Sequence, residues 1–297
     1  MGFKILELED SWKIGYKLDN IIIFFKDKKI PILLNELDIL LINNITINIS
    51  CHLLNELANR NILTIICDEK HIPNVLILPF DGHYNSLKIL QNQISWDNEY
   101  KLKIWKQIIK LKLHYENDLL KHLKFKENTQ EKITDELNFE EVQSIEAKGA
   151  KDFFNSLFGK KFVRFDETDD ENKFINSILN YGFSIILSAF CRSIVKNGMD
   201  TRISLFHKSF TNHFALASDL MEPFRIIIDV FTYKNIRKIK SEEFILSTVI
   251  KRDLIKILES ELYYNKERMR ISLAIDKYIY DLFNNKEFKI EFLYDIY

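Results

Sequence analysis

Three apolar stretches of the sequence each hold polar side chains able to bind a metal ion: Glu146 in SIEAKGAKDFF (144–154), His207 in SLFHKSF (204–210), and Asp219 with Glu222 in LASDLMEPFR (216–225). A carboxylate taken out of water costs several kcal/mol unless a cation or hydrogen-bond donors meet it. Each position also has a plain structural explanation. Glu146 can be a solvated residue at the edge of a helical face packed through Ile145, Ala150, Phe153 and Phe154, and His207, after Leu205 and Phe206, can be a satisfied core histidine. Asp219 and Glu222 can form a capping box on backbone N–H groups. Together the residues say more. Asp219 and Glu222 share one helical face, with Pro223 confined to a first turn or a kink. If Glu146, His207 and Glu222 converge, they form a mixed nitrogen and oxygen set with positions left for water and substrate. Such a set suits Mg²⁺ or Mn²⁺, the imidazole tilting it toward Mn²⁺. A phosphodiester is then the natural substrate, because a metal with open positions polarises a phosphoryl oxygen and activates the attacking one. His207 can instead serve as general base, since imidazole titrates near neutrality.

The elements that must position these residues change character near residue 80. Pro31, Pro73 and Pro79 precede it and only Pro223 follows. The first part reads as short β-branched runs, NIIIFF (20–25), PILL (31–34), NITINIS (44–50) and ILTIIC (62–67), with one Ser-capped helix at 50–61 and a last strand within 71–80. From about Ser95 the apolar spacing becomes helical: 96–124, then a polar loop at 126–136, then 138–158. Residues 174–199 are apolar nearly all round, as in a helix buried mid-bundle, and end at Asn197 and Gly198. Further helices are expected over 217–232, 242–258 and 267–284. The expected fold class is α+β: a small β-rich domain (1–80), a linker (81–95) and a larger all-α domain (96–297).

Composition bounds the rest. With 46% hydrophobic and 29% charged residues the chain is an ordinary globular one. Its 42 Lys and Arg against 43 Asp and Glu give no bulk attraction to nucleic acid, membrane or acidic partners. Cys51, Cys67 and Cys191, odd in number and widely spaced, read as structural thiols in a reducing compartment. No signal peptide and no apolar run of the roughly 20 residues a bilayer span needs is evident, so a cytoplasmic location is expected.

The segments IEAKGAKDFF, LNYGFSIILSAFCRSIVKNGMD and SLFHKSFTNHFALASDLMEPFRIIID, in that order and spacing, resemble the CRISPR-associated integrases of the adaptation stage, the Cas-one family, over nearly the whole chain. LASDLMEPFR is the most specific match, LNYGF supports it, and DLMEPFR is most similar to the branch that accompanies type II systems. The resemblance implies a metal-dependent homodimer whose β-rich domain supplies dimerisation and partner contacts. With a small ferredoxin-like partner it would capture double-stranded DNA fragments and join their 3′-hydroxyl ends to the CRISPR repeat array by transesterification; contacts with type II adaptation and effector proteins are implied too. It puts the family's metal-binding glutamate on Glu146, its histidine on His207, its second acid on Glu222 and a further acidic position on Asp219. Where many relatives have a glycine directly after the first glutamate and an arginine a few residues on, Ala147 and Lys151 stand here. Positioning plus a metal suffices for such a reaction, and no covalent protein nucleophile is needed. Two other functions stay open: a metal-dependent nuclease that cuts branched DNA without joining it, and a non-catalytic assembly subunit that holds DNA ends while its acids cap helices.

Candidate DNA contacts follow from local charge. Residues 101–126 hold eight lysines against Glu116 and Asp118, with Lys103, Lys106 and Lys110 on one stripe, and 234–240 adds Lys234, Arg237, Lys238 and Lys240. Such a stripe is equally the solvated face of an amphipathic helix; phosphate contact would show as salt dependence. Nearer the proposed metal, Lys148, Lys151, Lys208 and Arg225 can hold the scissile phosphate or balance the acids, and Arg225 can simply pair with Glu222.

Overall fold

A computed structural model describes residues 4–80, 83–126, 133–166, 168–207, 211–238 and 244–295. The chain divides into two compact units, Met1–Leu90 with Cys191–Met199, and Gln91–Phe190 with Asp200–Tyr297.

The first unit runs β1 (Lys4–Leu8), β2 (Lys13–Lys17), β3 (Asn20–Phe25), β4 (Lys28–Leu33), β5 (Leu37–Ile42), β6 (Asn48–Ile49), α1 (Cys51–Asn59), β7 (Leu63–Cys67), β8 (Pro73–Ile77) and the start of α2 (Ser86–Ile94), which from Gln91 belongs to the second unit. Two four-stranded sheets result, in the orders β1-β5-β7-β8 and β4-β3-β2-β6. In the first, β5 lies parallel to β1 and β7. Its sequence LDILLI is buried at every position, as a central parallel strand covered on both faces must be. Both sheets and α1 share one core, in which Ile14, Ile21, Leu40, Leu53 and Leu57 are fully buried. The expected Ser cap is present: the Ser50 side chain accepts the Leu53 N–H at the start of α1. Within 81–95, expected as linker, Ser86–Ile94 forms α2.

The second unit is built round α3 (Asn98–His122), which packs on α4 (Phe139–Phe158), α6 (Ala215–Leu220) and α7 (Ile226–Ile236). Asn138 and Glu141 close a capping box at the start of α4, which stabilises a helix start by about 1 kcal/mol. Gly149 is buried on α4, and a Cβ there would lie 2.7 Å from Leu113 Cδ2 on α3, so glycine sets how closely these helices approach. The long helix α5 (Asp170–Lys196) ends at Gly198, whose φ of 79° is the left-handed stop expected from sequence. Contrary to expectation, α5 is long and apolar enough to cross a bilayer, but 78% of its most apolar window is buried inside the protein.

The expectation of an all-α second part needs correction. After α8 (Thr248–Lys256) come β9 (Glu261–Tyr264) and β10 (Glu267–Arg270), then α9 (Ile271–Phe283) and β11 (Ile290–Phe292), and the three strands form an antiparallel sheet in the order β10-β9-β11. Residues 267–284 were expected to be one helix, yet they begin as a strand. The cause is the two-residue turn Asn265-Lys266, where both residues have positive φ (49° and 68°), the geometry that matches the twist of a tight hairpin.

Within the first unit, buried Arg192 donates from Nη1 to the Asp38 carbonyl (3.1 Å) and carboxylate (2.9 Å). Breaking a buried pair by removing one partner costs about 3–5 kcal/mol, whereas replacing both by apolar groups is close to neutral. Asp38→Ala is therefore expected to lower stability by about 3 kcal/mol in urea unfolding, and Asp38→Leu combined with Arg192→Met to recover most of it.

Candidate functional site

His207 lies in the segment between α5 and α6, and that segment is clamped from two sides. The Gln93 side chain donates to the carbonyls of Asp200 (2.8 Å) and Ile203 (3.0 Å) and accepts from the Asp200 N–H (2.8 Å). Asp219, on α6, accepts the backbone N–H groups of Leu205 (2.8 Å), Phe206 (2.9 Å) and His207 (3.3 Å) and also takes His207 Nδ1. Asp219 is fully buried; four donors meet its charge. The Phe206 ring, stacked on Trp105 of α3 at 4.6 Å and nearly parallel, fixes the adjacent side chain.

Pro223 breaks the helix expected over 217–232. Because its ring and missing N–H forbid an interior helical position, the chain passes from α6 through a 3₁₀ turn, Glu222–Phe224, into α7. The break turns the two acids apart. Asp219 faces the His207 segment, while buried Glu222 pairs through Oε1 with Arg225 (2.8 Å) and through Oε2 with Lys112 Nζ (2.7 Å), the latter a charge contact without hydrogen-bond alignment. Lys112, on α3, also pairs with Glu146 of α4. One ammonium thus joins acids from two separate elements. The capping-box explanation does not hold for Asp219 and Glu222: the donors Asp219 serves belong to residues 205–207.

These groups line a cavity of about 280 Å³, whose walls carry Glu116, Glu146, Glu222 and Asp229 against Lys112, Arg164 and Arg225, with His207 and the rings of Trp105, Phe154 and Phe206. Asp219 stands behind His207 and is not part of the lining. Among the described residues, no three His, Cys, Asp or Glu side chains stand together as a ready metal-holding group; the Lys112 ammonium sits between two of the acids instead. Arg164 enters from the segment between α4 and α5, oriented by Asn176 and Asn180 Oδ1 (2.7 Å each). Arg225 lies over the Phe183 ring at 4.1 Å.

Electrostatics separate the acids. Burial would raise the Glu222 carboxyl, but Arg225 and Lys112 outweigh it and hold it down at about 2. Burial lowers Lys112, and the carboxylates of Glu222, Glu146 and Glu116 more than reverse this. In the same lining, burial pushes Glu116 up to about 8 against the pull of Lys112, and Asp229 up to about 7 against Arg225, Lys112 and Arg164. Among the described residues, Glu116 Oε2 and Asp229 Oδ1 are buried without a hydrogen-bond partner. The hydrogen bond that His207 donates to Asp219 raises His207 against the opposing effect of burial, and the charges of Asp219, Glu222 and Glu146 add to it.

The structure thus brings Glu146, His207, Glu222 and Arg225 to one cavity and puts Asp219 behind it. Lys148 and Lys151 lie exposed on α4 outside the lining, and Lys208 falls outside the described residues. The α3 stripe is not a uniform basic face: Lys106 is buried and donates to the Asp135 carbonyl (2.6 Å), Lys110 pairs with Asp135 (3.6 Å), and Asp97 and Glu99 share the groove with Lys103. Arg237 covers the Tyr233 ring at 4.7 Å and Lys238 is exposed. Sequence reasoning missed Lys112, Glu116, Arg164 and Asp229. For Lys112 and Glu116 a signal existed, since they continue the apolar spacing of Trp105, Ile108, Ile109 and Leu119 on α3.

The CRISPR associated protein Cas1 family model matches residues 8–249. A CRISPR-associated endonuclease Cas1 of Neisseria meningitidis serogroup C is 28% identical over 291 residues, covering 94% of this chain and 90% of the relative. Among solved structures, a casposase bound to integration product is similar with a TM-score of 0.74 at 20% identity, covering 100% of this chain and 94% of that one. A Cas1 protein from Thermotoga maritima gives a TM-score of 0.71 at 17% identity, with 94% and 95% covered. At these identities the two structures speak for the fold.

Because the folded pKa of Asp229, about 7, lies above its ordinary 3.8, the native state holds the extra proton between these values and stability falls as pH rises through that window. Asp229→Asn removes this penalty. Its melting temperature is expected to fall less than that of the wild type between about pH 5 and pH 8; parallel curves would contradict the assignment.

Proposed function

This chain belongs to the CRISPR-associated Cas1 family, and we propose that it is an integrase of CRISPR adaptation, joining 3′-hydroxyl ends of foreign double-stranded DNA fragments to a repeat array with Mg²⁺ or Mn²⁺. The observation that carries this reading is one cavity lined by Glu146, His207 and Glu222 together with Arg164 and Arg225. The donor set fits a hard divalent ion: two carboxylates from separate elements already meet on one cation, the Lys112 ammonium, and a carboxylate holds Nδ1 of the imidazole, as it commonly does for metal-binding histidines. Glu146, Glu222 and the Nε2 nitrogen of His207 would hold the ion. When bound, it would supply Lewis-acid polarisation of the phosphoryl oxygen and lower the pKa of the attacking hydroxyl.

The chain's own residues do the remaining work. Asp219 fixes the His207 tautomer with the proton on Nδ1 and anchors three consecutive N–H groups of its loop. Arg164 and Arg225, each steadied by an aromatic face, offer guanidinium groups to the scissile phosphate. Trp105, Phe154 and Phe206 present an apolar wall that thins the water around the reacting phosphate. In the transesterification one P–O bond forms from the incoming 3′-hydroxyl, one breaks to release the displaced 3′-oxygen, and the proton lost by the first is matched by one gained by the second. No protein nucleophile is consumed.

Family membership also carries the proposal of a homodimer working with a small ferredoxin-like partner and, given DLMEPFR, with type II adaptation and effector proteins. Hydrolysis of branched DNA is the second reading, favoured by the name endonuclease that the Neisseria relative bears; the same cavity with water as nucleophile would cut without joining.

The test mixes purified protein, its small partner, Mn²⁺ or Mg²⁺, a hydroxyl-ended DNA fragment and a supercoiled repeat plasmid, scored for covalently joined product. The wild type is expected to join, and His207→Ala and Glu146→Gln to abolish joining with circular dichroism unchanged. Asp219→Asn is expected to lose about 10–100-fold, as for groups that orient a metal-binding histidine. Nicking without joining would favour the second reading, and full activity in Glu146→Gln would contradict both.

A further inference from the structure

The ammonium at the centre of the site is on neither side of the chemistry just described. Lys112 reaches the cavity from α3 with its side chain 11% exposed, pairing with Glu146 on α4 and with Glu222 on the 3₁₀ turn. These are two of the groups that would hold a divalent ion, so ion and ammonium compete for the same oxygens. Glu222 is further tied down by Arg225. An ion entering between Glu146 and Glu222 must displace the lysine from at least one of them, and a displaced ammonium cannot be left buried without a counter-charge.

The structure offers a carboxyl to receive it, one that burial holds toward neutrality and that the arriving ammonium would ionise. Glu116 lies four residues along α3 from Lys112, on the same helical face. It is 4% exposed, belongs to the same cavity wall, and its Oε2 is buried with no hydrogen-bond partner among the described residues. The lysine stem has four rotatable carbons, so its head can move about one helical turn without moving α3.

We propose that Lys112 is a built-in counter-cation that holds Glu146 and Glu222 together until a divalent ion takes its place, and that Glu116 receives the displaced ammonium. This rests on the metal-binding reading of the cavity. The lysine is a positioning residue: it prevents buried Glu222 and half-buried Glu146 from repelling each other in the ion-free protein, keeps α4 and the 3₁₀ turn in register, and sets the ion concentration at which the site fills.

The test is Mn²⁺ binding by the whole chain, without DNA, followed by calorimetry and by the Mn²⁺-dependent rise in melting temperature. Lys112→Met removes the competitor: the ion-free protein is expected to melt lower than the wild type, while the Mn²⁺ dissociation constant falls about tenfold, within the usual range of coupled binding events. Glu116→Gln removes the receiving group and is expected to weaken Mn²⁺ binding about tenfold. In the Lys112→Met background the same substitution is expected to change little, because no ammonium is left to receive. Lys112→Gln serves if the methionine variant does not fold. Wild-type or weaker Mn²⁺ affinity in the lysine variants, or an equal effect of Glu116→Gln in both backgrounds, overturns the proposal. Glu146→Gln tells the two failures apart. If it loses the Mn²⁺ response while the lysine variants match the wild type, only the role of Lys112 falls; if it keeps the response, the ion binds elsewhere and the metal reading falls with it.

Discussion

Carboxylates withdrawn from water must be met by positive charge or by donors, and this constraint organises the second unit. Glu222 at 7% exposure and Asp219 at none would each cost several kcal/mol if unpaired. The fold answers them in two ways. Asp219 receives three consecutive backbone N–H groups and an imidazole, so its charge is spent in shaping the loop that carries His207. Glu222 receives two cations from two elements, Lys112 of α3 and Arg225 at the start of α7, which ties the 3₁₀ turn to the helix at the centre of the unit.

Other features serve that arrangement. Pro223 forces the break between α6 and α7 and so lets neighbouring acids face different partners. Gly149 permits α4 to lie close enough to α3 for Glu146 to share a lysine with Glu222. Asn176 and Asn180 of α5 fork Arg164 into the cavity. In the same lining, Glu116 and Asp229 are pushed toward neutrality by burial, which lowers the negative charge the site must carry. A cavity that sets carboxylates against guanidinium groups, with Glu116 and Asp229 held toward neutrality by burial, is the basis of the proposed polyanionic substrate over a divalent ion.

Much of this was legible in the residues. Glu146, His207 and Glu222 stood out because each interrupts an apolar stretch, and the long helices announced themselves by period and by the Asn197-Gly198 stop. What escaped did so for physical reasons. Lys112 is one of eight lysines in residues 101–126, whose charges look solvated, and only its place on the apolar spacing marks it as buried. Arg164 belongs to a segment without periodicity, and its role depends on two asparagines in another helix. The strand β5 has no alternation because both its faces are covered. The β9–β10 hairpin turns on Asn265-Lys266, a weaker signal than Asn-Gly, between strands of only four residues. Asp219 and Glu222 were correctly paired in sequence but not in space, since the effect of Pro223 on the direction of each carboxylate is set by tertiary packing.

The most direct measurement is a crystal of this protein soaked in manganese, with anomalous scattering used to find the ion. The account predicts one strong site bonded to Glu146, Glu222 and His207 Nε2, Asp219 still on Nδ1, and the Lys112 ammonium withdrawn from at least one of its two acids. An ion bound elsewhere, or none at all with Lys112 still bridging Glu146 and Glu222, would contradict it.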